Sequence, residues 1–169
     1  KKSPIGFAKW AHVHKPKAPH KDRAGGKHMF QIDVCFEKGD PAWKDFFETT
    51  MAAIKAMPQQ MSKPKSVGEV PQPIKKQVPI KVELDKQDQP TGRYYVTFKT
   101  GVEYPPGVFD KYGRTIPPTV MIGNESKVQV SYIAKPYADL GGGIAFYLNA
   151  VQVKDLVEFG GHSAAAHGF

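Results

Sequence analysis

The segment Arg93-Tyr94-Tyr95-Val96-Thr97-Phe98-Lys99 carries the chemistry that organises this chain. It alternates as a half-buried strand does. If Tyr94, Val96 and Phe98 face a core, then Arg93, Tyr95, Thr97 and Lys99 face outward, and a ring stands between two cations. Single-stranded nucleic acid asks a protein for that combination: cations that follow the phosphates, and exposed rings on which bases stack, each stack contributing roughly 1–3 kcal/mol. Lys9 and Trp10 repeat the pairing near the N-terminus, and the loop at 104–114 adds Tyr104, Lys111, Tyr112 and Arg114. Lys135 and Tyr147 fall outward by the same parity argument in two later strands. Each has a structural reading beside the functional one. Inverted parity would put Tyr95 in the core, Trp10 would plug a barrel, and Tyr112 with Phe109 would pin the long loop. Tyr132 and Tyr137 divide evenly between the two readings. Arg93 and Lys99 are the firmest candidates, because cations seldom point inward.

Other chemistries fit less well. His12 and His14 would present both rings on one strand face, a usable pair of metal ligands, with His20 and His28 further along. No third ligand follows at tight spacing, and the single Cys35 has no cysteine partner, so neither metal nor cofactor is expected. Asp33 and Glu37 share a strand face, but a two-metal nuclease needs a further acid in a recognisable cluster. There is no Gly-x-Ser-x-Gly elbow and no phosphate loop ending Gly-Lys-Ser/Thr. The expectation is a protein without catalytic residues.

Composition agrees. The chain has 169 residues, 40% hydrophobic and 24% charged, which suits one globular domain with a substantial core. No apolar run approaches the ~20 residues that span a bilayer, and the N-terminal lysines are not followed by the apolar stretch of a signal peptide. With a lone cysteine, these features lead one to expect a cytoplasmic protein with no membrane partner. The net charge of +8 is uneven: residues 1–28 hold eight Lys/Arg against one Asp, while the remainder is nearly neutral. A basic arm on a neutral body is a footprint of phosphate-backbone binding; a solvated arm with no partner is the plain alternative.

Periodicity places the elements. A first strand is expected over 5–13, a polar loop over 14–28, and a strictly alternating strand over 29–37. Asp40-Pro41 opens a helix as N-cap and first residue, and Trp43, Phe46, Phe47, Met51, Ile54 and Met57 recur at three- and four-residue spacing until Pro58 stops it. A proline-rich excursion fills 58–79, an edge strand 78–84, a strand 93–99 and a long loop 101–118. Strands at 119–122, 127–135 and 143–153 complete the series. In the last, parity flips past Ala150, as an inserted bulge residue would cause. Many short strands, one major helix and long loops make an all-β Greek-key barrel. Residues 1–159 are expected to form the binding domain, and 160–169 a flexible tail.

The glycine-led run Gly141–Val153, ending Ala150-Val151-Gln152-Val153, the step Gly123…Val128-x-Val130 and Pro136-Tyr137 resemble the single-stranded DNA-binding proteins of tailed phages. The resemblance starts near Ile5-Gly6-Phe7-Ala8-Lys9-Trp10, passes the strand 29–36 and reaches Phe159. It implies an OB-fold barrel and a non-enzymatic role in coating and protecting single strands, with little sequence preference, during phage replication and recombination. Single-stranded DNA is the implied partner, replication proteins and a second copy of the chain are further ones, and RNA or acidic proteins are the alternatives. Two features depart from the family pattern. The helix follows the second visible strand, whereas the usual OB helix joins the third and fourth. Members of the family often end in an acidic tail, whereas no acid follows Glu158 in this sequence.

Overall fold

The strict alternation of residues 29–37 becomes the central strand of the molecule. In the computed structural model, which describes residues 1–21 and 24–158, the elements are β1 (Gly6–Lys17), β2 (Met29–Glu37), α1 (Pro41–Ala56), β3 (Ile80–Leu84), β4 (Pro90–Gly101), β5 (Gly107–Phe109), β6 (Lys127–Tyr137) and β7 (Gly143–Asp155). The sheet order is β3-β4-β2-β1-β6-β7-β5, and β7 also returns to β4 through the parallel pair Lys99–Tyr147. That contact closes β4, β2, β1, β6 and β7 into a five-stranded ring of the kind an OB-type barrel requires.

The ring is filled by the inward residues of each strand. Ile32 and Val34 from β2, Val96 and Phe98 from β4, and Val128 and Val130 from β6 are completely buried, with Phe146, Leu148, Val151 and Val153 of β7 beside them. The parity change in β7 has its cause in the ladder with β6. Ser131 pairs Ala150 while Tyr132 pairs Leu148, so Asn149 is the extra residue of a bulge, and the inward set passes from Phe146 and Leu148 to Val151 and Val153.

Helix α1 covers one end of the ring. The Asp40 carboxylate accepts the Ala42 N–H at 3.0 Å as the N-cap, and Pro41 occupies the first turn. Trp43 stacks on Phe36 with centroids 4.8 Å apart, and Phe46 lies 5.6 Å from Phe146 and 6.1 Å from Tyr132. The aromatic stripe is therefore core. Tyr132 joins it, which decides that residue in favour of structure.

The excursion at 58–79 folds back on the glycine run. Gly141 and Gly142 both have φ of 90°, a backbone that favours glycine, and a Cβ on Gly141 would stand 2.6 Å from the Lys75 carbonyl oxygen. The Gln77 N–H donates to the Gly142 carbonyl at 2.8 Å, locking the excursion to that turn.

The structure corrects the expected elements in several places. β1 continues to Lys17, through residues expected in the loop at 14–28; its outer face is polar because it faces water, which hid the strand from a hydrophobic pattern. The loop at 101–118 contains β5, which runs parallel to β7. Residues 119–122 are not a strand: Val120 closes a turn on Pro117, and Ile122 makes one bridge to Glu158. The edge strand begins at Ile80, after Pro79, which has no N–H to give a ladder. The expected tail at 160–169 lies outside the described residues. No helix among the described residues is long and apolar enough to cross a membrane.

Candidate nucleic-acid interface

The outward residues of β2 (Cys35, Asp33, Gln31 and Met29) form the floor of a continuous face, because neighbouring strands add their outward residues in register. One row across it reads Phe7–Cys35–Tyr95–Lys81, the next Lys9–Asp33–Thr97, and the third His12–Gln31–Lys99–Tyr147–Ile133. A groove of about 790 Å³ crosses the Cys35 end, walled by Lys9, Trp10, Arg93, Tyr95, Asn124 and the turn joining β3 to β4. A second groove, of about 930 Å³, covers the Gln31–Met29 end, where Lys17, Lys21 and Lys27 face Lys99.

Outward alternation in β4 is as expected: Val96 and Phe98 are buried while Tyr95 faces the first groove. Trp10 is 61% exposed, not a barrel plug. It has φ of 50°, and its N–H donates to the Asn124 side-chain oxygen at 2.9 Å. That hydrogen bond is a local support for a backbone conformation costly to any residue with a Cβ. Tyr147 lies across the ring closure beside Lys99, and the Lys135 ammonium sits 5.5 Å from its ring centre. Lys9, Trp10, Arg93 and Tyr95 are thus brought to one groove and Lys99 to the second, while Tyr147 and Lys135 line neither and adjoin Lys99 across the ring closure.

The other four candidates stand elsewhere. Tyr104, Lys111, Tyr112 and Arg114 line neither groove, because their loop leads into and out of β5, which pairs with the far half of β7. There Tyr112 lies between the Lys111 ammonium (5.2 Å) and the Arg114 guanidinium (5.0 Å), and Arg114 is paired with Asp110 at 2.8 Å. Their shared aromatic and basic composition is local to that loop. It does not extend the face.

The electrostatics also correct the ranking of Arg93. It does not stand free: its Nε and Nη2 donate to Glu83 at 2.8 and 3.1 Å, and its Nη1 and Nη2 donate to Glu125 at 3.0 and 2.9 Å. Its side chain is only 19% exposed, and it also covers the Phe7 ring at 5.3 Å. Lys9 binds the same Glu125 at 2.7 Å. Hydrogen bonds from Arg93, then from Lys9, pull the Glu125 carboxyl down to about 2, against the opposing effect of burial. Burial alone would raise Glu83; hydrogen bonds from Arg93, Cys35 and Thr91 bring it below the usual carboxylate range. Burial, and then the Glu83 hydrogen bond, push the Cys35 thiol up, which makes it inert. Asp33 on the floor is raised by burial, against a hydrogen bond from Thr97 at 2.6 Å.

A pH prediction follows from Glu125. Its carboxyl titrates lower in the folded chain than in the unfolded one, so its contribution is complete above about 4.5 and is lost as the pH falls towards 2. The side chain is 43% exposed, so solvent screening reduces that contribution to about 1 kcal/mol. Denaturant melts of the wild type and Glu125→Gln should differ by that amount at pH 7 and converge near pH 2. A constant difference across this range would contradict the assignment.

The lysines outside ion pairs lie at the other end. Among the described residues no acidic side chain pairs with Lys17, Lys21, Lys27 or Lys99. Lys17, Lys21 and Lys27, with Asn124, Glu83 and Glu125, are the residues of this face that residue-by-residue reasoning missed. For the lysines, the signal was the concentration of charge in residues 1–28. Among the described residues no group of three or more His, Cys, Asp or Glu could hold a metal ion. Burial lowers both His12 and His14, and for His12 the nearby Lys17 adds to it.

No protein-family model and no curated protein matches the chain. Solved structures do. The single-stranded DNA-binding protein gp2.5 of bacteriophage T7 superposes with a TM-score of 0.64 at 18% identity, over 99% of this chain and 92% of that one. The single-stranded DNA-binding protein of bacteriophage Enc34, in complex with single-stranded DNA, superposes with a TM-score of 0.63 at 18% identity, over 94% and 88%. Its C-terminally truncated form gives 0.62 at 18%, over 93% and 86%. The chain has the fold of these phage proteins. Identity this low carries the path of the backbone, and the side chains of the face must be argued from this sequence.

Proposed function

We propose that this protein binds single-stranded DNA without catalysis, across the outer face of β1, β2 and β4, and protects exposed strands in phage-type replication or recombination. The observation that carries the proposal is the convergence of Trp10 and Tyr95 on one groove that runs, along the outward residues of β2, into a wall of lysines that no acidic side chain among the described residues pairs with. The rings take bases; Lys17, Lys21, Lys27, Lys99 and Lys135 track phosphates. Every base offers a π-face to the rings, so sequence preference is weak. The T7 and Enc34 proteins of the same fold are single-stranded DNA-binding proteins by name, which supports the reading. Residues 1–159 are the binding domain in this proposal, acting in the host cytoplasm, with replication proteins and a second copy of the chain as further partners.

Titration with oligo(dT), followed by tryptophan fluorescence, tests it. Trp10 is exposed and Trp43 buried, so quenching reports the groove. If about five phosphates are neutralised, log affinity should fall with log salt at a slope near −3 to −4, from roughly 0.7 per contact. Duplex DNA should compete less well. Affinity independent of salt, or a preference for duplex, would overturn the proposal.

A further inference from the structure

Two carboxylates hold Arg93, and their surroundings give them different roles. Glu83 is 12% exposed and also accepts hydrogen bonds from the Cys35 thiol at 2.9 Å and the Thr91 hydroxyl at 2.8 Å. It is fixed from several sides, and it presents the guanidinium to the groove. Glu125 is 43% exposed, and among the described residues its carboxylate binds Lys9 and Arg93 alone. Its backbone is tied to β1, with its N–H donating to the Ala8 carbonyl at 2.8 Å, so the side chain can leave by rotating about its own bonds while the chain stays in place.

From this we infer that the Glu125 carboxylate occupies a phosphate subsite of the groove, formed by Lys9 Nζ with Arg93 Nη1 and Nη2, and that a strand of DNA must displace it to bind there. The donor set supports this. Three N–H-bearing nitrogens from two side chains converge on two oxygens of one anion, at 2.7 to 3.0 Å, which is the arrangement that suits the two non-bridging oxygens of a phosphodiester. Trp10 follows Lys9 in the chain, and Tyr95 lines the same groove, so a phosphate at this point would place adjoining bases within reach of both rings. The inference rests on the single-strand-binding reading and adds to it a built-in competitor. In the free protein the strongest cation pair of the groove is neutralised, which suppresses binding of stray anions, and affinity is set by exchange of one anion for another.

The test compares wild type, Glu125→Gln and Glu83→Gln in oligo(dT) binding over a range of salt. Both substitutions raise net charge by one, so a general charge effect would tighten both equally. Displacement predicts that only Glu125→Gln tightens, by about three- to tenfold, with a salt slope steeper by about 0.7, because the cations no longer exchange one carboxylate for a phosphate. Glu83→Gln should bind no better than wild type, since it loses the anchor of Arg93. A measurement on the unaltered protein guards against a folding defect: saturation with oligo(dT) should shift the side-chain carboxyl ¹³C resonance of Glu125. Equal tightening in both variants, no tightening in Glu125→Gln, or an unmoved resonance would each overturn the displacement. If the wild type binds oligo(dT) with the expected slope in those cases, the binding function stands without it. If the wild type does not bind at all, both fall.

Discussion

The double variant Trp10→Ala/Tyr95→Ala is expected to lose most of its affinity for single-stranded DNA while folding normally. Each stacked ring contributes roughly 1–3 kcal/mol, so the pair together accounts for about 2–6 kcal/mol, from some thirtyfold to about twenty-thousandfold in affinity. The two rings share one groove, so the single losses need not sum to the double one. Neither ring belongs to the buried core cluster, and the melting transition should therefore move little. The salt slope should be nearly unchanged as well, because the lysines opposite Lys99 remain. Anisotropy with labelled oligo(dT) reads the affinity and circular dichroism reads the fold. A variant that still binds within threefold of wild type would exclude these rings as the stacking platform, and one that unfolds would show that they are structural.

Trp43→Ala is expected to act in the opposite way, through stability. Trp43 is 2% exposed and lies in a cluster of rings: Phe36 at 4.8 Å, Phe46 at 5.7 Å, Tyr94 at 5.8 Å and Phe47 at 5.9 Å. Removing it deletes the contact of α1 with Phe36 and Tyr94, leaving Phe46 against Tyr132 and Phe146, and opens a cavity that four aromatic neighbours cannot collapse to fill. Such truncations cost about 3–5 kcal/mol. Whole domains are stable by roughly 5–15 kcal/mol, so much of the margin would go. Chemical denaturation should show the loss as a lower midpoint. DNA affinity, measured where the variant is still folded, should stay close to wild type, because Trp43 lies on the far side of β2 from the groove. A loss below 1 kcal/mol would mean that the helix is not held through this ring.

These two tryptophans show what local sequence can and cannot say. Trp43 sits at helical spacing with Phe46, Phe47 and Ile54, a stripe that a single domain needs as a core face far more often than as a partner-binding surface, and it turns inward. Trp10 sits in a strand whose outer residues are polar, and local pattern left it open as plug or platform. Its exposure depends on Asn124, 114 residues away, holding its backbone. Arg93 is the sharper case. Alternation placed it correctly on the outer face, but an outward position is not a free charge. Glu83 reaches it from the neighbouring strand and Glu125 from the loop before β6, and neither approach leaves a trace in the local pattern. In the other direction, the loop at 104–114 has the same residue types as the groove and stands apart from it, because composition reports kind and not place.

What the chain determined by itself was the parity of β2, β4 and β7, the bulge that interrupts β7, the capped amphipathic helix and the excess of cations before residue 29. Each is a matter of spacing or charge within a dozen or so neighbours, where side-chain direction follows from backbone geometry alone. Only the tertiary structure decided that Lys99 meets Tyr147, that the lysines of the arm face the barrel, and that two acids close on Arg93. Those contacts depend on how strands register across the ring, which no single strand encodes, even where only ten positions separate the partners, as for Glu83 and Arg93.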